Sequence, residues 1–301
     1  MTGDHLSIEA SGLTKRYGDV TAVHDLTFTV RPGAVTGFLG PNGAGKTTTL
    51  RMLTGLVTPT SGTATIGGQP YGRLTQPSRT VGAVFDRNAF HPGHTARDHL
   101  RLYAAMAGCP DSRVAELLDL LGLAHAADRR TRGFSTGMRQ RLSLATALLG
   151  DPRVLLLDEP SNGLDPEGMS WLRGLLRRLA DEGRTVLVSS HVLHEVQQVV
   201  DDVVVIRRGE LVAAGPWSRL TGPPTVLVTS PDATALAAAL AAAAGSVEAA
   251  GPGRLRVRGL DAPRVADLAA DHRLRIHELV TETTSLEQLF LDLTTDPAEA
   301  R

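Results

Sequence analysis

Eight consecutive residues, Gly40-Pro41-Asn42-Gly43-Ala44-Gly45-Lys46-Thr47, have the types and spacing to hold a polyphosphate. They fit the pattern G-x-x-x-x-G-K-[ST], whose glycines let backbone N–H groups curl around phosphate oxygens. Lys46 is placed to reach the β- and γ-phosphates and the Thr47 hydroxyl to sit on Mg²⁺, with Thr48 next along in the same cradle. Lys15 and Lys46 are the only lysines in the chain, so chance rarely supplies this pattern here. A second constellation lies downstream. Arg153-Val154-Leu155-Leu156-Leu157-Asp158-Glu159-Pro160 is an apolar strand ending in two adjacent carboxylates. Asp158 at the strand end can hold Mg²⁺, directly or through water, and Glu159 can polarise an attacking water. The loop alone leaves kinases, GTPases and ATPases open.

These residues need strands and helices to position them. Val35 to Leu39 reads as the strand feeding the loop, and Thr47 to Leu56 as the helix leaving it, which is the context the motif requires. Leu6 to Ala10 and Val23 to Val30 read as earlier strands, and Val81 to Phe85 as a later one. From about Arg97 to Leu149 apolar residues recur at helical spacing. Val154 to Leu157, Val186 to Val188 and Val203 to Ile206 are short, fully apolar strands, with a helix near Gly168 to Ala180 between the first two. Apolar strands alternating with helices predict an α/β fold with a largely parallel sheet. A boundary is expected near Thr221-Gly222-Pro223-Pro224. Beyond it the order reads strand (225–229), helix (233–244), strand (246–250), strand (254–258), helix (262–271), strand (275–280), helix (285–293), a split β-α-β pattern of ferredoxin-like α+β type.

Composition sets outer bounds. Of the 301 residues, 42% are hydrophobic and 21% charged, enough apolar matter for a packed core. A formal net charge of −1 offers no basic field for nucleic acid, so no nucleic-acid partner is expected. The single Cys109 excludes an intrachain disulfide. The N-terminal residues lack a signal-peptide pattern, and no apolar run approaches the ~20 residues that span a bilayer.

Over about residues 6–220 the sequence resembles the ATPase subunit of ABC transporters. Phe134-Ser135-Thr136-Gly137-Met138-Arg139-Gln140-Arg141 stands where that family carries its Leu-Ser-Gly-Gly-Gln signature, ahead of a helix expected over Met138 to Leu149. Read alone, Ser-Thr-Gly before a helix is an ordinary N-cap. In the family this helix start closes over the ATP of the opposite subunit, which implies that Ser135 and Gly137 serve a neighbour's site. Ser161-Asn162-Gly163-Leu164-Asp165 looks like the loop through which the two subunits meet, His191 like the switch histidine that reaches the γ-phosphate, and Tyr17 like the aromatic that stacks on adenine. Two departures stand out. Thr136 and Met138 replace a glycine and the glutamine of the signature, and Asp86 stands where the family has a glutamine that contacts Mg²⁺ and the reacting water.

The resemblance implies a P-loop NTPase domain of ABC ATPase type over residues 1–222, with a helical subdomain at about 87–150, and an accessory domain over 223–301. It implies ATP and Mg²⁺ as cofactors, a homodimer through the ATP sites, and a membrane-spanning permease partner that keeps the chain on the cytoplasmic side of the membrane. The segment from Asn88 to Leu100, with three histidines around Pro92-Gly93, reads as a surface loop at the groove where the permease docks. With Asp86 before it, this loop resembles the antibiotic- and drug-export branch. The rival is a soluble, non-transport ABC ATPase acting on the ribosome or DNA. Such proteins usually carry two ATPase halves, coiled coils or zinc modules, and none of these is read here.

Overall fold

Two sheets enclose the helix that follows the glycine loop. The computed structural model describes residues 6–85, 90–192, 196–220, 225–243 and 245–282. In chain order come β1 (Ile8–Tyr17), β2 (Val20–Val30), β3 (Val35–Leu39), α1 (Lys46–Leu53), β4 (Ser61–Ile66), α2 (Pro77–Thr80) and β5 (Val81–Val84). Then follow α3 (Ala96–Ala107), α4 (Ser112–Leu120), α5 (Thr136–Ala147), β6 (Val154–Asp158), α6 (Pro166–Asp181), β7 (Thr185–Ser190), β8 (Asp202–Arg207) and β9 (Glu210–Pro216). The chain divides into two compact units, Met1–Gly215 and Pro216–Arg301.

In the first unit, β2-β1-β4 form an antiparallel sheet and β5-β6-β7-β3-β8-β9 a six-stranded one. The pairs from β5 through β8 are parallel. β3, β6 and β7 are buried at every residue, since both faces of this sheet are covered. Phe38, Leu156, Leu187 and Val204 share one core with Leu50 and Leu53 of α1 and with Ile8, Leu13, Leu26 and Val30 of the antiparallel layer. The sandwich fixes α1, and with it the loop that opens it.

The helical layer holds a buried imidazole. Thr95 and Asp98 form a capping box that starts α3. His91 and His94 stack on each other before it, with ring centres 4.5 Å apart, whereas His99 belongs to α3. The buried His99 ring lies between Phe90 (4.9 Å) and Tyr103 (4.7 Å), and its Nε2 is 3.0 Å from the Thr146 hydroxyl. Burial, and secondarily the charge of His94, pushes its pKa from 6.5 down to about 4. The unfolded chain takes this proton near 6.5, and the folded chain refuses it until about 4. The stabilising effect of the neutral ring is therefore complete above about pH 6.5 and declines as the pH falls toward 4, then levels off. Urea unfolding at a series of pH values should show the midpoint falling over this window, and His99→Gln should flatten the fall. An unchanged slope in that variant would remove His99 as its source.

In the second unit, α7 (Trp217–Leu220) precedes β10 (Thr225–Thr229), α8 (Ala233–Ala242), β11 (Ser246–Gly251), β12 (Arg254–Arg258), α9 (Ala262–Asp271) and β13 (Glu278–Glu282). The sheet order is β11-β12-β10-β13, every pair antiparallel, which is the ferredoxin-like arrangement. Val226, Val228, Leu255 and Val257 pack against Leu236, Leu240, Val265 and Leu268 of the two long helices. The last strand starts at Glu278, later than the Arg275 expected. Arg275 is held in a loop instead: its guanidinium pairs with Asp232 at 3.1 Å, and its carbonyl accepts from the Ser230 hydroxyl at 2.7 Å. The expected boundary at 221–224 and the expected helix at 285–293 lie outside the described residues.

Candidate functional site

The glycine loop is hemmed in by two neighbouring segments. A Cβ on Gly40 would lie 2.5 Å from the Ile206 carbonyl oxygen of β8. Gly45 has a φ of 101°, and a Cβ there would lie 2.6 Å from the Ala22 carbonyl oxygen of β2. Only glycine fits either place. Between them Pro41, Asn42 and Gly43 are exposed and Ala44 is buried, its N–H bonded to the Pro41 carbonyl at 3.1 Å. α1 then opens with no side-chain cap and no acidic residue in its first turn, leaving N–H groups and the positive end of the helix dipole for an anion. Lys46 is only 6% exposed. Its ammonium donates to the carbonyls of Gly40 (2.7 Å) and Pro41 (3.3 Å), and lies 3.4 Å from a Glu159 carboxylate oxygen. Thr47 and Thr48 are half-buried beside it.

Both carboxylates stand at the end of β6, and the neighbouring strand β7 brings Ser189 and His191 beside them. Asp158 closes β6 opposite Ser189 of β7 in the parallel register. Its Oδ2 accepts from the Thr47 hydroxyl at 2.7 Å and its Oδ1 from the Ser189 hydroxyl at 2.5 Å. Glu159 follows with a φ of 50°, a left-handed conformation that costs a non-glycine residue energy and aims its side chain back over the loop. Its N–H donates to the Ser189 hydroxyl at 2.9 Å. One Glu159 oxygen faces Lys46, and the other lies 2.8 Å from Nδ1 of His191. Lys46, Thr47, Asp158, Glu159 and His191, singled out from sequence, thus meet in one place. Ser189 joins them and was missed. Its signal was a hydroxyl in an apolar strand two residues before His191.

The remaining sequence candidates lie outside this cluster. Tyr17 ends β1 at the hairpin turn, exposed, with the Lys15 ammonium 5.0 Å from its ring centre. Ser135 caps α5, accepting from the Met138 N–H at 3.2 Å. A Cβ on Gly137 would meet only the Leu164 side chain, at 3.6 Å, so packing within this chain does not require glycine there. Asp165 caps α6, accepting from the Gly168 N–H at 2.8 Å. Asp86 lies outside the described residues.

Asp158 and Thr47 present oxygen ligands alone, the donor type that suits a hard divalent cation such as Mg²⁺. Among the described residues no group of three or more His, Cys, Asp or Glu is arranged to hold a metal.

A glycine loop at a helix start, with two consecutive carboxylates at the end of a strand in the same parallel sheet, defines a P-loop nucleoside triphosphatase. Residues 23–162 match the family model described as ABC transporter. The bacitracin transport ATP-binding protein BcrA of Bacillus licheniformis is 42% identical over 216 residues, covering 71% of this chain and 71% of that protein. The Nod factor export ATP-binding protein I of Ralstonia nicotianae is 37% identical and covers 96% and 93% of the two chains. A solved ATP-binding subunit of an ABC transporter superposes with a TM-score of 0.65 at 27% identity, covering 71% of this chain and 91% of that one. The chain belongs to the ABC transporter family as one of its ATP-binding subunits, and its activity is ATP hydrolysis. Residues 224–287 match a domain of unknown function (DUF8746).

Proposed function

We propose that this chain powers an exporter. Two copies assemble head to tail around two Mg-ATP molecules and drive a separate membrane-spanning permease from the cytoplasmic side. The observation that carries this reading is the convergence of Lys46, Thr47, Asp158, Glu159 and His191. Lys46 and Thr47 bind the phosphates, with Asp158 and Thr47 holding Mg²⁺. Glu159 takes the proton of the attacking water, and His191 holds Glu159 in place and senses the γ-phosphate. Gly40 to Thr48 form the cradle, and Tyr17 stacks on the adenine. Ser135 and Gly137 act on the neighbour's ATP, which agrees with a glycine that its own chain's packing does not demand. Asp165 serves the subunit contact, and Asp86 approaches Mg²⁺ through water.

Export is favoured by the relatives, which include proteins named for bacitracin transport, lantibiotic transport and Nod factor export. The cargo class is therefore a drug- or antibiotic-like amphiphile. An apolar cleft next to α3 supports a partner. It is lined by Tyr71, Phe85 and Tyr103, with Leu56 and Met106 left 66% and 76% exposed. Such a cleft suits an apolar face of a permease segment. Among the described residues no helix is long and apolar enough to cross a membrane. Residues 1–222 form the ATPase domain in this reading, and 223–301 an accessory domain.

The test is co-expression with a multi-span membrane protein encoded beside this chain, followed by detergent extraction. The reading requires that the two proteins co-purify and that the permease raises the ATPase rate. A chain that instead sediments with ribosomes or DNA, leaving the permease unbound, would favour the non-transport rival.

A further inference from the structure

We infer that Ser189 is the positioning residue for both carboxylates of the site. The inference rests on the roles proposed for Asp158 and Glu159. Ser189 is fully buried in β7, directly across from Asp158. Its hydroxyl has one proton and spends it on Asp158 Oδ1 at 2.5 Å. The same oxygen then accepts the Glu159 N–H at 2.9 Å. One hydroxyl thus ties down the orientation of the Asp158 carboxylate and the peptide that carries Glu159.

Both ties matter for a physical reason. Asp158 has two hydroxyl donors, Thr47 on Oδ2 and Ser189 on Oδ1. A cation held by Thr47 and Asp158 competes for the Thr47 side, because both use the same oxygens. The Ser189 bond is on the other oxygen and survives, so it alone keeps the carboxylate aimed once the cation arrives. Glu159 sits in the left-handed region, which its backbone would leave if the N–H were released. Ser189 takes that N–H. A loss of the hydroxyl therefore frees the Asp158 carboxylate to rotate and lets the Glu159 peptide relax, moving both acidic groups together.

Three full-length variants test this. Ser189→Cys keeps the volume and loses the strong donor, Ser189→Thr keeps the hydroxyl, and Asp158→Asn tests the underlying site. Mn²⁺ binding in the presence of ADP is read by electron paramagnetic resonance, ADP affinity in EDTA by calorimetry, and Glu159 amide protection by hydrogen exchange. Ser189→Cys should weaken Mn²⁺ about tenfold or more, as loss of an outer-shell partner does. It should also speed Glu159 exchange and lower kcat, while metal-free ADP affinity stays put. Ser189→Thr should bring all three back toward the parent values, which a generally loosened fold would not do. If Asp158→Asn loses Mn²⁺ and Ser189→Cys does not, the positioning role is wrong and the site stands. If neither variant changes Mn²⁺ affinity, the reading of the site falls with it.

Discussion

Glu159→Gln binds ATP about as tightly as the parent chain and turns it over about 10²–10⁴-fold more slowly, the range a positioned general base supplies. The substitution keeps shape and removes one acceptor charge. Lys46 loses its ion pair with Glu159 at 3.4 Å but keeps the carbonyls of Gly40 and Pro41, so the cradle persists. His191 loses the carboxylate at 2.8 Å from its Nδ1 and keeps an amide oxygen in its place. The chemical step suffers and binding does not. Stopped at the ATP-bound stage, the variant should also accumulate as a dimer on size exclusion with ATP. Single-turnover hydrolysis measures the first effect directly, and a rate equal to the parent's would take the base role away from Glu159.

Lys46→Met should lose ATP affinity by about 10²-fold, with the fold intact. The ammonium offers charge-assisted hydrogen bonds to phosphate oxygens worth about 1.5–3 kcal/mol each. Two of them give a gross loss of about 3–6 kcal/mol. The net is nearer the lower end, because in the free chain the ammonium already donates to Gly40 and Pro41 and must give those bonds up. Methionine fills the buried stem's volume, which separates the charge from the packing. Titration calorimetry with ATP reads the affinity, and a thermal melt checks the fold. An unchanged affinity would show that backbone N–H groups alone carry the phosphate.

Much of this was legible in the sequence because burial on both faces leaves little choice of residue. Val154 to Leu157 is unbroken apolar sequence for that reason, and it announces both a strand and its place in the sheet. Lys46 and Glu159 were legible because each stands in a pattern tied to backbone geometry. β4 was not. Ser61–Ile66 is mostly exposed or half-buried at the edge of the antiparallel layer and reads Ser-Gly-Thr-Ala-Thr-Ile, too polar to signal a strand. Ser189 was hidden differently. What makes it matter is the register between β6 and β7, and nothing local to Ser189 encodes its partner. His99 looked like one of three loop histidines, and its place in α3, buried between Phe90 and Tyr103, separates it from the other two.

The position of β3 in the sheet bears on how the chain is made. β3 carries the phosphate loop at its end, yet its two neighbours are β7 and β8, which lie far later in the sequence. During synthesis the five buried residues Val35–Leu39 emerge early with both edges lacking a partner. Until Ser190 and Val205 have also emerged, β3 lacks both flanking strands and β6 lacks the β7 neighbour that joins it to β3, so Glu159 is not yet held beside Lys46. Nucleotide binding therefore reports completion of the whole sheet rather than of the N-terminal third that bears the motif. Truncated products that end before β7 would display an open, apolar strand, a template for association with other chains.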